Sequence, residues 1–147
     1  MLLAVLLLVG CASSGTVPST AGLGGAYEGT LFVDGRAFGA NLTLRASGPN
    51  RVRGVFRTSS PVSIEGDVDG AVVDDLLRIA IEYRTPDGCD GEMRGILDIS
   101  RQGAALAGPV TVSDCQDPVP ARLVLRRRGA RGPDQTSTGA PSERADS

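Results

Sequence analysis

Carboxylates supply most of the chemistry that this 147-residue sequence could perform. Asp67-Val68-Asp69-Gly70, followed by Asp74 and Asp75, gathers oxygen ligands as a calcium loop would. The spacing fails the EF-hand pattern, which needs donors at three alternate positions, then a glycine, then a distant glutamate. These residues read as solvated turn carboxylates. Asp87-Gly88-Cys89-Asp90-Gly91-Glu92 is as dense in oxygens, but it lies beside a cysteine and reads as a stapled hairpin loop. Glu65 and Glu82 would be a general acid and base if both faced one pocket. Residue alternation puts both on a polar outer face instead, opposite arginines such as Arg53 or Arg78. The chain has no histidine, and all 15 basic residues are arginine. That inventory removes the side chain that titrates near neutral pH and the commonest transition-metal ligand. It also removes Ser-His-Asp, Cys-His and Ser-Lys nucleophile schemes. The expectation is a protein that is not an enzyme, with no catalytic residue, no metal and no cofactor.

The three cysteines divide into one and two. Cys11 ends an apolar run, Met1 to Gly10, with no polar face and too few residues to cross a bilayer, which takes about 20. Its length suits the apolar part of a secretory signal, so the chain is expected to be exported. Cys89 and Cys115 then form an even pair in an oxidising compartment, and a disulfide is expected between them. No second cysteine or histidine stands near either, which argues against zinc.

Leu8-Val9-Gly10-Cys11 resembles the lipobox of bacterial lipoproteins. That resemblance implies lipidation of Cys11 as the mature N-terminus, a signal peptide over 1–10, and a cell-envelope location. Ala12 in place of an aspartate at the next position implies the outer membrane, facing the periplasm, where the organism has two membranes. Such signals usually begin with one or two basic residues; none precedes Cys11, so the true start is expected upstream of Met1. Residues 11–25 are mainly Ser, Thr, Gly and Ala and read as a flexible tether, with a reach on the order of 20 Å.

From residue 26 to 128 the sequence alternates with period two. Tyr27, Gly29, Leu31 and Val33 share one face, as do Phe38, Ala40, Leu42 and Leu44 after the Asp34-Gly35 turn. Val52, Gly54 and Phe56 follow, then Val62, Ile64, Gly66 and Val68, ended by a turn at Asp69-Gly70. Leu77 to Tyr83, Met93 to Ile99, Leu106 to Val112 and Ala121 to Leu125 complete the series. Short links make sequence neighbours spatial neighbours. The prediction is an all-β, eight-stranded antiparallel up-and-down meander, closed as a small barrel that hides its edges. The texture is similar to avidin-like and lipocalin-like barrels, a likeness of architecture that carries no binding motif. Arginines and acids on most outward faces argue against a membrane-spanning barrel.

Function, on this reading, lies in the barrel or on its surface. Eight strands leave room for side chains alone or for one small ligand. A packed interior is the first expectation; the alternative is an apolar-ligand pocket lined by Tyr27, Phe38, Phe56 and Tyr83. Arg126, Arg127, Arg128 and Arg131 form a basic cluster that could meet an anionic surface. Beyond it, residues 129–147 are expected to be disordered. Nucleic acid is not an expected partner, because the domain is acidic and poor in aromatics. The leading functional expectation is a lipid-anchored envelope protein with a structural or protein-binding role, with carriage of a small apolar ligand second and a carboxylate hydrolase last.

Overall fold

The computed structural model describes Thr20, residues 22–115 and residues 117–129. The expected signal peptide, Cys11, most of the tether, Arg131 and the tail lie outside the described residues. Eight strands follow one another: β1 (Gly25–Val33), β2 (Arg36–Ala46), β3 (Arg51–Thr58), β4 (Glu65–Val73), β5 (Leu76–Arg84), β6 (Asp90–Ser100), β7 (Ala105–Asp114) and β8 (Val119–Arg127). Each pairs antiparallel with the next, and β8 pairs back onto β1, closing the barrel. The predicted class and topology are therefore those observed.

Alternation explains the closure. Inward residues such as Leu42, Ile81, Leu97 and Leu123 lose all contact with solvent, while the residues between them stay exposed or half-exposed. Each such aliphatic side chain contributes about 1.5–3 kcal/mol on burial. Glycines within the strands let the sheet curl tightly enough to close. At Gly29 and Gly54 a Cβ would collide with the backbone carbonyls of Val124 and Thr43 on the neighbouring strands. Asp34 and Gly35 both take positive φ, 47° and 74°, as a two-residue hairpin turn that matches strand twist requires.

One predicted turn is displaced. Asp69-Gly70 lies inside β4, which runs on to Val73 and turns at Asp74-Asp75, with Asp74 at φ 55°. Turning at Asp69 would leave Val72 outside the interior; the longer hairpin buries both Val72 and its register partner Leu77. Burial of two aliphatic side chains outweighs a local turn preference. At its other end β4 begins at Glu65, so Val62 and Ile64 belong to the preceding loop, where the Ser60–Pro61 peptide is cis. Thr58 organises that loop: its buried hydroxyl donates to the Val62 carbonyl (2.6 Å) and accepts from the Ile64 amide (3.0 Å).

The two ends of the barrel differ. At one, Leu23 is buried although it falls in the segment expected to be tether. The Tyr27 hydroxyl lies within hydrogen-bonding distance of the carbonyls of Leu23 (3.0 Å) and Gly103 (2.9 Å). Arg127 lies over the Tyr27 ring, 5.3 Å from its centroid, and donates from Nη2 to the Tyr27 hydroxyl (2.8 Å) and to the Gly22 carbonyl. That end is plugged. The other end, formed by the β1–β2, β3–β4, β5–β6 and β7–β8 connections, is open.

Candidate functional site

The open end holds a cavity of about 290 Å³, at the small end of the range for ligand pockets. Leu31, Phe38, Met93 and Val112 line its apolar walls, and Val62 and Ile64 of the Thr58-held loop close one side. Below it the barrel is filled: Phe56, Leu42, Leu77, Leu97 and Leu106 are all buried in one continuous core. The interior is thus packed over most of its length and hollow at the mouth.

Tyr83 is the polar centre of the cavity. Only 8% of the residue is exposed, and its hydroxyl has no hydrogen-bond partner among the described residues. Leaving a buried hydroxyl unpaired costs about 1–3 kcal/mol. The group's pKa is pushed up to about 12, first by burial and second by the negative charge of Asp114. The strand register explains their proximity. Tyr83 on β5 is opposite Gly91 on β6, and Gly91 is opposite Asp114 on β7, so the three form one row across the inward face. Gly91 carries no side chain, and the Tyr83 ring occupies the space that a Cβ there would need.

Asp87 supplies the second carboxylate of the lining. The Thr85 hydroxyl donates to it and holds its pKa below the ordinary value. The same hydroxyl accepts from the Cys89 amide (3.0 Å), which fixes the loop after β5. Cys89 is bonded to Cys115, with Cα atoms 5.9 Å apart, so the predicted disulfide ties the β5–β6 loop to the β7–β8 connection at the rim of the mouth.

The sequence-predicted residues separate. Phe38 and Tyr83 line the cavity. Tyr27 does not: it faces inward at the plugged end. Phe56 does not either, being buried in the packed region below. All four aromatic side chains share the predicted face but sit at different heights, which alternation cannot specify. The basic cluster is also dispersed. Arg127 continues the inward series of Leu123 and Leu125 and caps the plugged end, so it is unavailable to an anionic surface. Arg128 is held by Glu28 (3.1 Å) and Asn41 (3.3 Å), while Arg126 is exposed.

The other candidates lie on the outer surface, several of them in ion pairs. Glu65 and Glu82 are both exposed; Glu65 pairs with Arg57 (2.6 Å) instead of Arg53, and Glu82 is opposite Asp67 and Glu92 in the register, not an arginine. Arg57 lowers the Glu65 pKa by hydrogen bond and charge. Asp69 meets Arg51 and Arg53, each at 3.4 Å, and Asp90 meets Arg84 at 2.8 Å. No group of residues suited to a metal ion occurs among the described residues. Asp114 and Gly91 are the residues of the inward row that sequence reasoning missed, whereas alternation puts Met93 inward but not at the mouth; inward alternation along β6 and β7, carried to the strand ends, was the signal that could have found them.

No protein-family model and no curated protein matches the chain. Solved small β-barrels do. A redesigned β-barrel, mFAP1, bound to DFHBI, shares 18% identity at a TM-score of 0.64, covering 75% of this chain and 99% of its own. EF1p2_mFAP2b bound to DFHBI shares 14% at 0.67, covering 78% and 100%. A further redesigned barrel, b11L5F_LGL, shares 16% at 0.65, covering 78% and 99%. At such identities the likeness establishes the fold alone, a small β-barrel.

Proposed function

We propose that this protein is a carrier of a small, largely apolar ligand, held at the open mouth of the barrel and kept at the bacterial envelope by a lipid on Cys11. The observation that carries the reading is the mouth cavity, which combines apolar walls with one buried hydroxyl, that of Tyr83, lacking a partner among the described residues. Apolar walls with few, placed polar groups are what small-molecule sites offer. Two of the structurally similar barrels are bound to DFHBI, which supports ligand carriage by this architecture. The cavity moves carriage ahead of the structural or protein-binding role that the sequence favoured. Support for the anchor comes from the Leu8-to-Cys11 motif.

Mass spectrometry of protein extracted gently from its native membrane tests both halves. Under denaturing conditions the expected mass is that of a chain starting at a lipidated Cys11 and two hydrogens light for the disulfide. An unmodified N-terminus would sink the anchor. Under native conditions an additional small mass, lost on denaturation, is expected. Its absence, together with no uptake of added apolar probes, would sink carriage.

A further inference from the structure

Resting on the carriage reading, we infer that the mouth selects its ligand by head-group charge: it takes an apolar body with a cationic head, such as a protonated amine, and rejects carboxylates. The lining contains two acidic residues, Asp87 and Asp114, and no basic one. Asp114 lies at the end of the Tyr83–Gly91–Asp114 row, so its carboxylate and the unpartnered hydroxyl face the same space. Asp87 completes the pair from the rim, held by Thr85. A head group there meets an acceptor-rich corner, with Asp87 at the exposed rim and Asp114 beside the buried Tyr83, while Phe38, Val62 and Ile64 line the same cavity for the apolar body.

The arginines at this end do not offset that charge. Arg57 and Arg84 point outward and are bound to Glu65 and Asp90. Arg36, at the tip of the β1–β2 hairpin, is exposed and does not line the cavity. An ammonium therefore gains charge-assisted hydrogen bonds to the carboxylates, a neutral alcohol can donate to the same oxygens without the charge attraction, and a carboxylate meets like charge. Complementary charge at a partly buried site governs discrimination in this way, because the wrong sign loses both solvent and a partner.

Octylammonium, octanol and octanoate share one apolar body and differ in head-group charge. Titrated into the folded protein at neutral pH, they are expected to bind in that order, with roughly a tenfold or greater gap between the first and last. Chemical-shift changes should map to Met93 and Val112. Asp114→Asn and Asp87→Asn should each narrow the gap, and Tyr83→Phe should weaken all three. Binding with octanoate equal or superior, or a ranking that survives both Asn variants, would overturn charge selection while leaving carriage intact. Shifts confined to the outer acids Asp67, Glu82 and Glu92 would overturn it as a site property. If none of the three binds, carriage itself fails and the inference with it.

Discussion

Tyr83 is where burial, charge and function meet in one side chain. Its phenol stays protonated in the fold well above the point at which an unfolded chain would lose the proton, because burial and Asp114 disfavour the phenolate. The linkage has a definite sign. Stability from this group is fully present below pH 10 and is lost as pH rises toward about 12, since in that window only the unfolded state releases the proton. Denaturation measured across this range should show the wild type losing stability relative to Tyr83→Phe; parallel curves would mean that the hydroxyl is solvated. Gly91 governs the same ring from across the strand pair. Gly91→Ala places a methyl where the Tyr83 ring lies, so the ring must move into the cavity. Ligand affinity should fall several-fold while the strands persist, and a titration against octylammonium with circular dichroism as control would show it. An unchanged affinity would show that ring placement does not shape the site.

At the scale of strands, the outer surface contains an unfavourable feature beside its ion pairs. Glu82 on β5 is directly opposite Asp67 on β4 and Glu92 on β6, an acidic row across three strands in which Arg94 offsets Glu92 but no described residue pairs with Glu82 or Asp67. Like charges facing each other across a sheet destabilise it, whereas opposite charges contribute roughly 0.2–1 kcal/mol. Glu82→Arg should therefore stabilise the barrel by about 1 kcal/mol, raising the melting temperature by roughly 4–8 °C in a domain of this size. High salt should shrink the gain, because Glu82 and Asp67 are exposed. No rise at low salt would mean that long side chains already splay the row apart. The same strands show what alternation encodes and what it does not. Period-two patterning identified eight strands and the face that each buries, since burial of aliphatic side chains decides both. It could not give height along the barrel, so Tyr27, at the plugged end, was grouped with Tyr83, at the mouth. Nor could a local turn signal at Asp69-Gly70 anticipate that burying Val72 and Leu77 would extend the hairpin. Arg127 was misread for a related reason: a charged residue at a strand end followed the inward series and found Tyr27 as its partner.

The whole molecule is a cup with a plugged base and a stapled rim. Thr20, whose hydroxyl donates to the Gly48 carbonyl (3.2 Å), and Leu23 bring the chain in at the base, and Arg128 leaves there, paired with Glu28. The disulfide lies at the other extreme, joining the loop that contributes Thr85 and Asp87 to the lining to the residue after Asp114, the end of β7. It closes a sequence separation of 26 residues, a loop that constrains the unfolded chain by about 3–4 kcal/mol on the entropic account. A Cys89→Ser, Cys115→Ser double variant should lose that much stability in urea denaturation and still fold, because strand pairing around the barrel does not pass through the bond. Its affinity for octylammonium should fall as well, since Asp87 and Asp114 are then free to move apart. If stability drops and affinity holds, the strand row alone sets the site and the staple serves only the fold. If both hold, the rim connections are fixed by their own hydrogen bonds, such as those of Thr85 to Cys89.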